Sequence, residues 1–506
     1  MTLTAFQESM LLLAPLLIPL TGAVLGILAF QNVGLQRFLG VTASAAICVT
    51  GFAILGATAG GEILVVNLGA WPAPYGIVLV ADLLAGLMLA VTGVIGFTVA
   101  VYSLADIPPR LVRNGYFPLF LFLLLGVNGA FLAGDLFNLY VWFEVMLISS
   151  FVLIVLGGER SQLEGGVKYL VINLVSSMIF LIGVGVLYGK LGTLNMADLA
   201  QKLANSDDAL LVNSGTILLL VAFGIKAALF PFFFWLPASY HTPRIAVSAV
   251  FAGLLTKVGV YALIRAYTLI FATNFDNVQA LFVALAAGTM LTGVLGAASL
   301  FEVRRILSFH IVSQIGYMIM GLAIYTPLAL AAAIFYMVHH IVVKTNLFLV
   351  GGLIQRYNGT QELSGTGGLY RAVPWLALLF FIPAFSLGGI PPLSGFWAKL
   401  GIIRAGVEAE AFLLVAVALV TGILTLFSMT KIWGEAFWKE LPSGATPNGS
   451  ATHLLEWVGL VFPALILALM TLWIGFFGVA LWNLAEIAGA QLLEPARYIE
   501  AVLPAP

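Results

Sequence analysis

Five charged side chains fall inside long apolar stretches of this 506-residue sequence: Glu144, Lys226, Lys257, Lys344 and Lys399. Glu144 lies in the run YVWFEVMLISS, nine residues after Asp135. That distance is roughly 14 Å along a helix axis. If the run crosses a bilayer, an ionised group at this depth costs roughly 2.5–3.5 kcal/mol on insertion scales. Side chains placed at such a cost point to the holding or transfer of charge.

The signs of these five charges do not balance, since four lysines face one carboxylate. If all five were ionised, removing these charges from water would have a large desolvation cost. Burial lowers the pKa of lysine, so some of the four are expected to be neutral much of the time. A lysine that titrates near neutral pH exchanges protons readily. A row of such groups therefore predicts a proton path, in which Glu144 pairs with Lys226 and holds it charged.

Three histidines are secondary candidates for this path. His340 and Lys344 are four residues apart and share one face of a helix. His339 lies beside them, and His310 either faces the path or packs against a neighbouring helix, with packing favoured. Purely structural interpretations of these buried charges also stay open. Glu144 and Lys226 could form a structural ion pair, and Lys344 or Lys399 could extend toward a helix end to reach the interface.

The composition excludes several function classes. Hydrophobic residues make up 62% of the chain and charged residues 8%, whereas a soluble protein carries about 25% charged residues. The net charge of −1 indicates no nucleic-acid partner, and the single cysteine excludes an intrachain disulfide or a multi-cysteine metal site. No phosphate-binding loop or strand-borne GxGxxG is present, so we expect no cofactor and no enzyme chemistry. No cluster of membrane carboxylates suggests a dehydrated Na⁺ site or another metal site in this chain.

Apolar runs of about 20 residues predict membrane helices, and the fold class is an all-α polytopic membrane protein. We predict fourteen segments: 9–30, 37–58, 77–103, 115–133, 135–157, 166–189, 210–240, 245–268, 276–299, 306–325, 327–354, 373–404, 411–435 and 457–485. The longest connections, 190–209 and 439–455, are too short to hold a cofactor domain.

The distribution of lysine and arginine predicts the orientation. One side carries twelve: Arg37, Arg110, Arg113, Arg160, Lys168, Arg244, Arg304, Arg305, Arg356, Arg371, Lys431 and Lys439. The other carries five: Lys190, Lys202, Arg265, Arg404 and Arg497. The richer side should be cytoplasmic, which places both termini outside.

Two predicted segments contain helix breaks: segment 7 carries Pro231 and Pro237, and segment 12 carries Pro391 and Pro392. Proline removes a backbone donor, and a broken helix persists in a membrane only against protein or a wet cavity. The first break lies about 116 residues after the start of segment 4, and the second about 115 after the start of segment 9. This spacing predicts two inverted five-helix repeats, an arrangement typical of transporters. We divide the chain into 1–114 with segments 1–3, the first repeat 115–275, the inverted second repeat 276–440, and 441–506 with segment 14 and a tail.

Several motifs carry a family resemblance: GDLFNLYVWFEVMLISSFVLIVLGG, FGIKAALFPFFFWLPASYHTPRIAVSAVFAGLLTKVGVYALIR, SQIGYM, HHIVVKTNLFLVGG and IPPLSGFWAKL. They resemble the antiporter-like subunits of respiratory complex I, and more closely the D subunits of Mrp (Mnh) multisubunit Na⁺/H⁺ antiporters. The resemblance implies fourteen helices in inverted repeats, with segments 7 and 12 broken. It implies that the proton path comprises Glu144, Lys226, Lys257, His340, Lys344 and Lys399. Arg244 departs from the pattern, because relatives often have proline or a small residue there.

The resemblance implies a proton-carrying subunit of a monovalent cation/proton antiporter. Its partners would be H⁺ as the transported ion, Na⁺ handled through other subunits (A, B, C, E, F and G), and the lipid bilayer of a bacterial inner membrane. The alternative is a proton-pumping subunit of complex I or of a membrane-bound hydrogenase. A third interpretation is a structural scaffold whose buried charges have lost their function.

Overall fold

The computed structural model describes residues 5–441 and 454–503. The part of the predicted connection 439–455 that spans 442–453 lies outside the described residues. Nearly all of the described chain is helical. The helices of the first half are α1 (Ala5–Leu28), α2 (Val33–Thr58), α3 (Leu83–Asp106), α4 (Pro109–Arg113), α5 (Tyr116–Leu132), α6 (Leu136–Val155), α7 (Arg160–Leu191), α8 (Met196–Ala204), α9 (Ala209–Ala227), α10 (Trp235–Ser239), α11 (Ile245–Val250) and α12 (Thr256–Arg265).

The second half continues with α13 (Asp276–Ser299), α14 (Val303–Ile324), α15 (Pro327–Asn358), α16 (Leu369–Ala372), α17 (Pro374–Gly388), α18 (Ser394–Glu408), α19 (Phe412–Trp433), α20 (Leu454–Phe477), α21 (Val479–Leu492) and α22 (Pro495–Val502). Three π-helical turns, Phe251–Leu255, Ala266–Ile270 and Gly434–Trp438, extend α11, α12 and α19. As a result α11 and α12 form one continuous helix, Ile245–Ile270.

Twelve helices of the described residues are long and apolar enough to cross a membrane. Two shorter apolar helices, α5 and α17, lie where segments 4 and 12 were predicted. The prediction of a polytopic helical membrane protein is therefore confirmed. The count of fourteen crossings stays a prediction.

The centre of the molecule is formed by three helices that neighbouring protein covers almost completely. These are Ile245–Ile270, α14 and α15, in which 94–100% of the most apolar window is buried, against 28% in the peripheral α2. A helix that is apolar all round can be buried in protein or face lipid, so hydropathy alone does not separate the two. Most of the buried ionisable residues lie on these central helices.

Both predicted helix breaks are present. Helix α9 ends at Ala227, Ala228 adopts a left-handed backbone, and Pro231 follows before α10 begins at Trp235. Pro237 lies inside the short helix α10 and not in the break itself.

The second break separates α17 from α18. Gly389 has a left-handed backbone (φ 92°), and Pro391 and Pro392 follow it. A Cβ at Gly389 would also lie 2.9 Å from Cδ of Lys399. Glycine is therefore required here for two reasons, its backbone conformation and the approach of the lysine stem.

An isolated pair of extended residues recurs in the two halves of the chain. Asp135, before α6, pairs with Asn195, and Glu302, before α14, pairs with Glu362. Residue 302 follows 135 by 167 positions, and 362 follows 195 by the same 167. This recurrence supports the inverted repeats, which stay a prediction together with the domain boundaries.

The structure differs from the prediction at segment 77–103, whose first residues are extended. Val78–Ala81 pairs antiparallel with Leu64–Asn67 to form a β-hairpin. The helix begins only at Leu83, because the Asp82 side chain caps it by accepting a hydrogen bond from Ala85 N. Segment 457–485 likewise divides, with α20 ending at Phe477 and α21 beginning at Val479.

Arg265, one of the five residues assigned to the side with fewer lysines and arginines, is buried in the structure. Arg265 lies within the helix Ile245–Ile270, and its side chain is 6% exposed. Its guanidinium donates to Asp82 Oδ2 at 2.6 Å, and Asp82 is itself 2% exposed. The two residues are 183 positions apart, and sequence spacing could not reveal this partner. The pair stays buried because each charge compensates the other.

Candidate proton path

Lys226 lies beside the first helix break, and Glu144 lies in the middle of α6. The Lys226 amine, at the last turn of α9, donates to Ser177 Oγ at 3.2 Å and lies 4.9 Å from the centre of the Phe143 ring. No salt bridge joins it to Glu144 among the described residues, although the two charges interact electrostatically. One carboxylate oxygen of Glu144 is buried without a hydrogen-bond partner in the part of the chain that the structure describes. The predicted direct pair is therefore a through-space interaction in this structure.

Lys257 and Lys344 occupy the interior, and each is fully buried. The Lys257 amine donates to Ala252 O at 2.6 Å, and the Lys344 amine donates to Leu307 O at 3.0 Å. Neither amine forms a salt bridge within the described residues. Ala252 belongs to the π-helical turn Phe251–Leu255. π-Helical turns are frequent at functional sites. Carbonyl acceptors without a counter-ion suit an amine that can lose its proton.

Helices α9 and α12 approach backbone to backbone beside these lysines. A Cβ at Gly259 would lie 2.5 Å from Ala227 N and 2.8 Å from the carbonyl carbon of Lys226. Gly259 thus lets the helix that carries Lys257 approach the one that carries Lys226.

This contact gives a testable prediction. We expect Gly259→Ala to force the two helices apart, because both atoms in its way are backbone, and to lower both stability and proton exchange severalfold. The measurement is the melting temperature and exchange rate of the purified complex. Gly185→Ala is the control, since a Cβ there meets nothing within 4 Å. Equal behaviour of the two variants would show that this close approach does not matter.

His340 lies one helical turn before Lys344 on α15, and its side chain is fully buried. Both of its ring nitrogens lack a partner among the described residues. It interacts electrostatically with Lys257 and Lys344. A neutral imidazole with both nitrogens available can accept a proton on one side and release one on the other. His340 therefore fits a relay better than a packing role.

The other two histidines connect this interior group to the second break. His339 Nδ1 lies 2.8 Å from Ser394 Oγ, which lies 2.9 Å from Ser386 Oγ, so this chain of polar atoms spans the break. His310 Nδ1 lies 3.5 Å from Ser313 Oγ, and its Nε2 has no partner among the described residues. His310 interacts electrostatically with both Lys344 and Lys399.

Lys399 lies in the second turn of α18, beside the second break. It is 8% exposed, and its amine donates to Gly388 O at 2.9 Å. The amine also lies 5.6 Å from the centre of the Tyr317 ring. Because the helix is broken here, the Gly388 carbonyl has no intrahelical donor and accepts the hydrogen bond from Lys399. Lys399 is therefore buried beside the break, with its amine bound to a carbonyl of the break.

The sequence did not identify several polar partners of this row. Ser177, Ser394 and Tyr317 each contact a charged or titratable member, and Ser386 contacts Ser394. Only Ser386 and Ser394 could have been found from the sequence, because they flank the glycines and prolines of the second break. Ser177 lies in an ordinary apolar run, and the motif that contains Tyr317 indicated no contact with a lysine.

Comparison with known proteins shows the family of the chain. A family model described as "NADH:quinone oxidoreductase/Mrp antiporter, TM" matches residues 133–425, which include every residue of the predicted path. The D subunit of a Na⁺/H⁺ antiporter from Alkalihalophilus pseudofirmus is 45% identical over 498 residues, covering 97% of this chain and 99% of the relative.

Solved structures are similar over nearly the whole chain. A chain of the Mrp complex from a Dietzia species is 36% identical with a TM-score of 0.89, covering 98% of this chain and 99% of that one. A chain of respiratory complex I from Thermus thermophilus is 26% identical with a TM-score of 0.80, covering 96% of this chain and 100% of that one.

Proposed function

Because the chain belongs to the NADH:quinone oxidoreductase/Mrp antiporter transmembrane family, we propose that it is the proton-carrying subunit of a multisubunit Na⁺/H⁺ antiporter. The observation that carries this proposal is the row of buried lysines, from Lys226 through Lys257 and Lys344 to Lys399, none of which forms a salt bridge with a described residue. Two helix breaks flank the row. Protons move along it by transfer between neutral and charged amines, with His340 as an intermediate.

Glu144 controls the first step in this proposal. Its carboxylate acts on Lys226 through space and favours the charged amine. When the two separate, Lys226 gives up its proton toward Lys257. The Lys226 amine needs a hydrogen-bond acceptor both before and after this separation. Ser177 Oγ is an acceptor that does not depend on the Glu144 carboxylate.

The sodium path belongs to partner subunits in this proposal. The described residues contain no group of three or more His, Cys, Asp or Glu side chains that could hold a metal ion. We propose a bacterial inner membrane as the location and extracellular termini. Composition of the purified complex separates this assignment from a redox-driven pump: small antiporter subunits support it, and quinone-reductase subunits contradict it. The identity of 45% to an antiporter subunit against 26% to a complex I chain favours the antiporter.

Glu144→Gln tests the proposed first step. A neutral amide cannot favour a charged Lys226, so we expect exchange to fall at least about tenfold, which corresponds to about 1.4 kcal/mol. The measurement is dissipation of a pH gradient in everted vesicles at equal protein level. Glu164→Gln is the matched control, because Glu164 forms an exposed ion pair with Lys168 at the surface. A Glu144→Gln rate equal to that of the control would remove Glu144 from the path.

A further inference from the structure

A polar cavity of about 250 Å³ lies outside the proton path described above. Three arginines and two carboxylates contribute to its lining: Arg244, Arg304, Arg356, Asp106 and Glu159. We call it the arginine cavity. All three arginines belong to the side of the chain that the charge distribution predicts to be cytoplasmic.

Five separate elements bring these side chains together. Arg244 directly precedes the helix Ile245–Ile270, and Arg304 lies in the first turn of α14. Arg356 lies in the last turn of α15, Asp106 ends α3, and Glu159 precedes α7. Residues so far apart in sequence converge only in the folded chain, and the cavity is a feature of the native packing.

The charge of the lining is positive by one unit, since three guanidinium groups face two carboxylates. Asp106 is further engaged by the backbone, because its Oδ2 accepts a hydrogen bond from Ala246 N at 3.0 Å. His241 adds no charge, because burial and the charges of Arg305 and Arg304 lower its pKa to about 4.

Two of the arginines have donors to spare. Arg304 donates from one terminal nitrogen to Pro243 O at 2.8 Å, but its buried Nε has no partner among the described residues. The Arg244 side chain is exposed, and no salt bridge of the described residues includes it. Guanidinium N–H groups match the oxygens of phosphates and carboxylates in geometry and charge. The same N–H groups offer nothing to a metal cation, which needs oxygen ligands.

The cavity lies close to the proton path. Leu307, whose carbonyl accepts the Lys344 amine, follows Arg304 by three residues on α14, about 4.5 Å along the helix axis. Tyr102, which also lines the cavity, donates to Leu349 O on the helix that carries Lys344. The cavity thus borders α14 and α15, the two helices that carry Lys344 and its backbone acceptor.

We propose that the arginine cavity binds a phosphate oxyanion, either free phosphate or the phosphate of an anionic lipid headgroup. The anion accepts hydrogen bonds from the spare donors of Arg244 and Arg304. This binding does not rest on the proposed function.

The binding test uses the purified complex in phosphatidylcholine vesicles, with inorganic phosphate as the probe. Its melting temperature is measured against phosphate concentration, with chloride keeping the ionic strength constant. We expect a saturable rise in wild type, because a ligand that binds only the folded state stabilises it. Arg244→Gln should raise the half-saturating concentration at least about tenfold, since a charge-assisted hydrogen bond is lost. Arg110→Gln is the matched control, as Arg110 is exposed and does not line the cavity.

The lipid arm repeats the titration in phosphatidylglycerol vesicles. If the headgroup is the natural ligand, these vesicles stabilise the wild type without phosphate and abolish its response to phosphate. Arg244→Gln should lose that stabilisation, and Arg110→Gln should keep it. Absence of both a phosphate response and a lipid response in wild type would overturn the site. So would equal responses in the two variants.

Discussion

Replacing Lys257 with arginine is expected to abolish sodium-driven proton exchange, although the positive charge is retained. Arginine stays protonated at any pH that the protein meets and cannot pass a proton on. Lys257 is fully buried and bonded to a backbone carbonyl, and no carboxylate of the described residues forms a salt bridge with it. We expect a loss of at least about a hundredfold, equivalent to about 2.7 kcal/mol in activation free energy.

The measurement for this variant is the rate at which a sodium gradient moves protons in vesicles that contain equal amounts of assembled complex. Lys190→Arg is the matched control, because Lys190 is an exposed lysine whose side chain is 66% accessible. An active Lys257→Arg complex would mean that a fixed charge suffices at this position and that relay by Lys257 is wrong.

We expect two substitutions of Lys399 to differ in exchange activity. The two would have equal activity if Lys399 had only a structural role. Lys399→Ala should be nearly inactive, because the titratable group that reaches the Gly388 carbonyl at the second break is lost. Lys399→Glu should keep partial activity, since a carboxyl group also exchanges protons. A carboxyl group releases its proton at lower pH than an ammonium group, and the optimum should move to lower pH.

The check on this prediction is a pH profile of exchange for both variants. Lys168→Ala and Lys168→Glu are the controls, because Lys168 is an exposed surface lysine. Full and equal activity of the two Lys399 variants across the profile would assign Lys399 to a helix-end role and leave the outlet of the path elsewhere.

The cost of buried charge allowed the main candidates to be identified from the sequence. Lys226, Lys257, Lys344 and Lys399 are each less than 9% exposed in the structure. Proline and glycine likewise located both helix breaks, because they leave few backbone conformations available. These signals are local, and a single sequence carries them in full.

Partners distant in sequence had no such signal. No pattern of residues joined Asp82 to Arg265, or Ser177 to Lys226, because each pair meets only through packing. The same limit affected Glu144 and Lys226, which were expected in contact and interact only through space. The hairpin was missed because a short apolar strand beside a long apolar helix has the same hydropathy as the helix.

Sodium-driven proton flux in purified complexes that carry Lys226→Ala or Lys257→Ala tests the central claim most directly. A pH-sensitive dye inside the vesicles reports the flux, and the wild-type complex at equal protein level sets the reference. The proposed path predicts that each single substitution abolishes the flux while the complex stays assembled. Wild-type flux in both variants would contradict it, because the protons would then cross without the buried lysines of this chain.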